Sequence, residues 1–427
     1  MTGASSLLVR NIGRLLTLCP AGDDRLGSFE RAAVWVSNGR VAFAGPEADL
    51  PPLAHDSPQI DAEGRLVSPG LIEPHAHPIF AGSRAHEFEL RARGATYLEI
   101  QQAGGGILST VRATNAASDE ELVASTRDRL LALMSFGVTV CEAKSGYALS
   151  IDGELRLLRL IARAARQTPI EVSATLLAHV IPPDANRADH VASFAREAIP
   201  RAAEINPESG RPWADCLDVF CDQGAFTIEE TRLLLEAGRA AGLGLRVHAE
   251  QLSRTGAAAL AASFGARSVE HLEWIEGRDI PALAAAGTVC TLLPGAALTL
   301  RLPFPSARAM LDGGCAVALG TDLNPGSSLS ENLPLMMSIA CMQMGMGVDE
   351  AWLGVTRSAA RAVHRSDAGY LGPGARGDLV IWNHDDHREL IQHFGAARAC
   401  TVIIGGRVAL GAPTSQVTAG HYQTGPK

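Results

Sequence analysis

Among the eight cysteines of the 427-residue chain, no two are spaced as a CxxC pair. Thiols scattered through a chain this long do not read as a disulfide framework; they read as buried residues of a reducing cytosol. Aromatic residues make up only 5%, too few for base-stacking platforms, and the formal net charge is −9. With no positive field to collect phosphates, nucleic acid is excluded as a partner. No basic stretch followed by an apolar segment stands at the start, so no secretory leader is expected. One charge-free run, Ile280–Leu300, is long enough to cross a bilayer. Pro281, Gly287, Pro294 and Gly295 divide it into a helix end, a strand and a loop, so no membrane span is expected. No GxGxxG follows an early strand, which speaks against a dinucleotide fold; Gly104-Gly105-Gly106 follows a helix-like stretch instead. What the chain does have is 47% apolar residues and 43 glycines, enough for a large core with tight loops.

Both ends are β-like. Ser6–Val9 and Leu15–Leu18 read as strands, and Ala33–Ser37, Asn38-Gly39 and Val41–Ala44 form a hairpin signal with a type I′ turn. Asp378–Trp382 and Val402–Ala409, the latter around Gly405-Gly406, mirror this at the far end. The middle alternates short apolar runs with helical patterns. The runs are Leu66–Ile72, Gly137–Cys141, Ile170–Leu177, Cys216–Phe220, Leu245–His248, Ser268–Leu272, Gly287–Leu293 and Ala316–Gly320. Helical patterns include Asp119–Ser135, Gly153–Arg166, Thr227–Ala241 and Arg254–Phe264. Strand–helix alternation repeated eight times predicts an α/β fold, a (β/α)8 TIM-like barrel over 66–364. A doubly wound sheet is the alternative. Residues 1–65 and 365–427 are expected to form one small β-sandwich domain sewn from both termini.

In a barrel the chemistry gathers where strands end. The first apolar run is followed by Glu73-Pro74-His75-Ala76-His77, and on extended backbone residues two apart point the same way. The fifth ends at His248, the sixth at His271, and the eighth runs into Asp322. Taken one at a time, such histidines are more often satisfied rim residues than ligands. Together at one rim, His75, His77 and His248 can supply nitrogens and Asp322 an oxygen to a metal ion, leaving a position for water. Asp322 is then placed to take the water's proton and return it to a leaving nitrogen, with His271 orienting the hydroxide or polarising the attacked carbonyl. Hydrolysis of a C–N bond is the natural output.

These residues resemble the metal site of the amidohydrolase superfamily. Longer stretches are similar to one family within it, the imidazolonepropionases: Ser68–Thr114, which contains AGGGILSTVRAT, then Phe136–Tyr147, Asp218–Phe226, Val247–Leu252, Val269–Glu273 and Thr321–Ser328. The resemblance implies a metal-dependent hydrolase of cyclic amides in histidine degradation. It would open 4-imidazolone-5-propanoate to N-formimidoyl-L-glutamate with one Zn2+ or Fe3+ per subunit. It implies substrate contacts at Arg84, Tyr147, His179, Gln251, Asn324, Gly326 and Ser327. Arg84 offers a planar fork for a carboxylate, the local cation that an anionic substrate needs on a −9 chain. Gln251 stands where some members carry Glu; an amide cannot act as a base, so the proton transfers fall to Asp322. The remaining histidines, His55, His86, His190, His364, His384, His387, His393 and His421, are read as structural or surface. A homodimer in the cytosol is the default expectation. Rival readings are a nucleobase deaminase or other cyclic amidohydrolase, and a barrel without catalysis serving as a scaffold.

Overall fold

The computed structural model describes residues 6–94, 99 and 105–411, so Gly104 and His421 lie outside it. In chain order the strands are β1 (Leu7–Leu16), β2 (Ser28–Ser37), β3 (Arg40–Pro46), β4 (Gln59–Asp61) and β5 (Leu66–Pro69). There follow β6 (Leu71–Glu73), β7 (Val138–Lys144), β8 (Glu171–Ala178), β9 (Cys216–Cys221) and β10 (Gly244–Ala249). The last are β11 (Ser268–His271), β12 (Val289–Leu292), β13 (Val317–Leu319), β14 (Leu379–Trp382), β15 (Ala399–Ile404) and β16 (Arg407–Leu410). Two compact units result, one from 1–71, 134–139 and 366–427, the other from 72–133 and 140–365.

The smaller unit is one mixed sheet in the order β16-β15-β14-β5-β1-β2-β3, with β4 against β1. The expected sandwich is thus a single hydrogen-bonded sheet, closed across the termini where β5 pairs antiparallel with β14 at Val67↔Ile381. The β2–β3 hairpin turns through Asn38 and Gly39, at φ 53° and 73°, as a type I′ turn requires. The two strands expected before Leu18 are one strand, β1, whose register shifts between Val9 and Ile12. Val9, Ile12, Val34, Val67, Leu379 and Ile403 pack as its core.

The larger unit carries eight parallel strands in sequence order, β6 to β13. A parallel bridge between Ala76 and Leu323 joins the exits of the first and last. Each expected run contains a barrel strand, with one correction. Leu66–Ile72 is split at Gly70, so that β5 belongs to the terminal sheet and only β6 enters the barrel. Helices cover the strands. Ile151–Ala165 starts at Ser150, whose hydroxyl caps Gly153 N, and buries Leu155, Leu158 and Ile161 on one face. Each such side chain contributes about 1.5–3 kcal/mol of burial. Within Ile280–Leu300 the loop expected after the strand is a helix, Pro294–Leu300, started by its proline at the first turn. Among the described residues no helix is long and apolar enough to cross a membrane. All eight cysteines are free.

Candidate active site

The polar residues sit where the strands of the larger unit end. Glu73 is fully buried and accepts from the amides of His75 (2.9 Å) and Thr321 (3.0 Å). Burial lifts its carboxyl to about 7. His77 N donates to Leu323 O and Asp322 N donates to His75 O, at 2.9 and 3.1 Å. These bonds lock the His75–His77 segment beside Asp322. Several of the exits use left-handed backbone on residues other than glycine: Glu250, His271, Leu272 and Asp322 have φ of 57°, 78°, 69° and 52°. Such conformations cost on the order of 1–3 kcal/mol each and persist where the surroundings enforce them, commonly at active sites.

His75 Nε2, His77 Nε2 and Asp322 Oδ1 form a triangle with sides of 3.2, 3.3 and 3.4 Å. Ligand atoms placed tetrahedrally about an ion at 2.0–2.1 Å are themselves about 3.3–3.4 Å apart. The donor set therefore fits a small metal ion. The ring of His248 lies 4.6 Å from that of His75 and 5.2 Å from that of His271, and one ring nitrogen from each of the three fits within a 4.8 Å cluster. Burial pushes His77 and His248 well below the ordinary histidine range, toward the neutral form that ligates. His75 differs. Burial and Lys144 press it toward neutrality, but Glu270 and Asp322 outweigh them and lift it to about 9. Two carboxylates there demand a positive charge, which a metal ion satisfies in place of the proton. Burial raises the proton affinity of Asp322, yet His75 and His77 hold it well below the usual carboxylate range.

Beneath this set lies a group of charges that sequence reasoning missed. Lys144 Nζ donates to Asp218 Oδ2 (2.7 Å), Glu142 Oε1 (2.9 Å) and Glu270 Oε2 (3.1 Å). Arg246 donates to Glu270 Oε1 at 3.0 Å. All five side chains have no solvent exposure. Each carboxylate reaches upward to the donor set. Asp218 Oδ2 is 2.9 Å from His248 Nδ1, Glu270 Oε2 is 2.7 Å from His75 Nδ1, and Glu142 accepts from Ala76 N at 3.3 Å. Carboxylates behind ligating imidazoles fix ring orientation and raise basicity. The signal was present in the sequence: Glu142 and Lys144, and Arg246 and His248, are charged or polar at spacing two inside otherwise apolar strands.

A cleft open to solvent lies above the donors. His77, Arg84, Tyr147, His179, His248, Gln251, His271, Asp322, Asn324, Gly326 and Ser327 all line it. His75 is fully buried, within ring contact of His77 and His248. Arg84 precedes the helix Ala85–Ala92 and donates through Nε and Nη2 to Glu87 Oε2, at 2.9 and 2.7 Å. A Cβ on Gly326 would stand 2.2 Å from Arg84 Nη1, so any side chain there would push that guanidinium out of its present position. Glu154 accepts from the amides of Ala148 and Leu149, both at 2.8 Å, and so holds the turn that carries Tyr147. Asp222 accepts from the amides of Gln251 and Leu252 at 2.9 and 2.8 Å, and so holds the loop that carries Gln251. His271 Nδ1 lies 3.4 Å from Glu273 Oε1.

The hydrogen bonds of Asn324 and His179 define how each is presented to the cleft. Asn324 has its whole hydrogen-bonding capacity engaged within its own loop. Nδ2 donates to Asp322 O and Ser327 Oγ, each at 2.7 Å, and Oδ1 accepts from Gly326 N (2.7 Å) and Ser327 N (2.8 Å). The backbone N–H groups of Gly326 and Ser327 therefore face Asn324 Oδ1. Ser327 Oγ in turn donates to Asp322 Oδ2 at 3.0 Å. His179 pairs through Nδ1 with the carbonyl of Gly146 at 3.0 Å. A carbonyl only accepts, so Nδ1 carries the proton and Nε2 is an acceptor. Burial lowers its pKa to about 4, which keeps the ring neutral. Sequence reasoning also missed Arg91 and Phe220 in the cleft wall. Arg91 donates to Gly326 O at 2.8 Å. With Arg84 and Glu87 it forms an i, i+3, i+7 face that the sequence displays.

The fold and site define a hydrolase of the metal-dependent barrel class, and comparison with known proteins agrees. The model of the amidohydrolase family matches residues 94–409, and the chain belongs to that family. Solved structures share its fold: a triazine hydrolase variant, with TM-score 0.74 and 18% identity over 97% of this chain and 96% of that one. A zinc-bound adenosine deaminase from Xanthomonas campestris does so with TM-score 0.72 and 18% identity, over 95% and 93%. Among curated proteins it is 42% identical to the imidazolonepropionase of Myxococcus xanthus, over 95% of this chain and 97% of that one. It is 40% identical to that of Geobacillus kaustophilus over 95% and 98%. Within the amidohydrolases, then, it belongs with the imidazolonepropionases.

Proposed function

We propose that the chain hydrolyses a ring C–N bond of 4-imidazolone-5-propanoate to give N-formimidoyl-L-glutamate, using one zinc or iron ion held by His75, His77, His248 and Asp322. The observation that carries the reading is convergence. Eleven residues picked from six separate stretches of sequence line one cleft, with His75 beside them. An ion held by those donors would supply Lewis acidity and bring the pKa of a bound water down to near neutral.

The chain's own groups do the rest. Asp322 divides its oxygens, Oδ1 toward His75 and His77 and Oδ2 toward Ser327 Oγ. Oδ2 is the atom that carries the water's proton and returns it to the leaving ring nitrogen, with the Ser327 hydroxyl holding its direction. His271, at the same rim, orients the attacking oxygen or polarises the ring carbonyl. His179 Nε2 accepts from a ring N–H. Gln251 hydrogen-bonds the ring and carries no proton. Arg84 meets the propionate, with Tyr147 beside it. Asn324 and Gly326 act by shaping the loop. A homodimer in a reducing compartment belongs to the same reading, and the eight unpaired cysteines fit that compartment.

The test is direct. Metal-loaded protein is mixed with imidazolone propionate and the ring absorbance followed; no loss above background refutes the proposal. Arg84→Met separates this substrate from a neutral nucleobase. KM for the acid should rise tenfold or more, and an unchanged KM removes the carboxylate clamp.

A further inference from the structure

Arg84 alone does not explain why the AGGGILST stretch, Ala103–Thr110, should matter to this site. Its described part, from Gly105 onward, holds no metal donor and no acid–base group. It leads into the helix Ile107–Ala116, for which Gly106 is the N-cap at φ 76°. One side chain links it to the cleft. Glu87, only 6% exposed, takes both donors of the Arg84 fork on Oε2. Its other oxygen, Oε1, accepts from Gly106 N at 2.9 Å and Ser109 Oγ at 3.3 Å. Ser109 Oγ also lies 2.9 Å from Gly106 O, and Ile107 lines the cleft. The carboxylate thus faces a helix N-terminus on one side and a guanidinium on the other, both of which favour its charge.

We infer that Glu87 is a positioning residue for carboxylate recognition, presenting Arg84 to the substrate and fastening the Gly106–Ser109 segment to it as a wall of the cleft. The inference rests on the substrate reading above and deepens it. An arginine spans many rotamers, and an unheld fork must be ordered again at each binding event. Glu87 removes that freedom by engaging the Nε and Nη2 edge. Nη1 has no hydrogen-bond acceptor among the described residues and lies against Gly326, at the cleft. That nitrogen and the second hydrogen of Nη2 are what the guanidinium offers to an anion. The same carboxylate sets the entrance to the helix Ile107–Ala116, so the segment from Gly106 has a role in substrate selection.

The variant is Glu87→Gln, which keeps the shape. An amide has one accepting oxygen and cannot serve both Arg84 and Gly106. KM for imidazolone propionate should rise about tenfold, with kcat within threefold. KM for the corresponding propionamide should stay within twofold, because the neutral analogue does not use the fork. Ser109→Ala, which removes one anchor and no charge, should shift the acid's KM two- to fivefold in the same direction. Glutarate binding by calorimetry is measured in parallel, weakened in Glu87→Gln and lost in Arg84→Met. If Glu87→Gln does not fold, Ser109→Ala and its glutarate affinity decide. An acid KM unchanged in both variants, an equal loss for acid and amide, or unchanged glutarate affinity overturns the inference. If the parent protein does not turn over the acid, the substrate reading fails, while glutarate affinity still tests Glu87.

Discussion

Replacing Lys144 by methionine should destabilise the larger unit severely. The ammonium is fully buried between three carboxylates at 2.7, 2.9 and 3.1 Å. Burial alone would favour the neutral amine, but Asp218, Glu142 and Glu270 together raise its proton affinity well above the ordinary lysine range. Methionine fills most of the volume and removes the charge, leaving those acids facing one another with Arg246 as the only other buried cation of the cluster. Breaking a buried pair from one side costs about 3–5 kcal/mol. The unit has roughly 290 residues, and an unfolding entropy of about 2.1 cal/mol/K per residue turns that loss into a fall in Tm of about 5–8 °C. The assay is differential scanning calorimetry of parent and variant at equal metal loading. Adding Glu142→Gln to Lys144→Met restores the charge balance and should recover at least half of the loss, because removing both partners is far cheaper than removing one. A single variant melting within 2 °C of the parent, or a double variant no better than the single, would refute this account of the barrel interior.

Other expectations follow from the same geometry. Chelation should abolish turnover and lower Tm, with both restored by zinc or iron; Asp218→Asn, which removes the carboxylate charge 2.9 Å from His248 Nδ1, should weaken metal affinity 10- to 100-fold in a chelator competition. Asn324→Ala should lower kcat more than it raises KM, because it releases Asp322 and Ser327; a rise in KM alone would mean that Asn324 touches substrate after all. Burial holds His179 down at about 4 against an ordinary 6.5, so the folded state binds fewer protons than the unfolded one between those values. Its contribution to stability is complete above about 6.5 and is lost as pH falls toward 4. His179→Gln should flatten that part of the Tm-against-pH curve, and an identical slope would contradict the assignment.

The sequence by itself determined the barrel, the sheet shared by both ends and the polar residues at the strand exits, His75, His77, His248, His271 and Asp322; the substrate-side candidates came from the family resemblance. Short apolar runs, helical stretches between them and polar residues at run ends are local signals, and they survive folding because each strand buries its own apolar side chains. The Asn38-Gly39 turn is legible for the same reason: its backbone conformation is a property of those two residues. The tertiary structure decided what those residues are bonded to. Gly70 breaks an apparently continuous strand because its neighbours pair with different sheets. The four hydrogen bonds by which Asn324 closes its own loop likewise appear only in the folded chain. The tautomer of His179 was set by a carbonyl 33 residues away. The charges of Lys144, Asp218, Arg246 and Glu270 meet only when parallel strands bring them into one interior. Hydrogen bonds and buried charges depend on partners distant in the chain, and no local pattern encodes those distances.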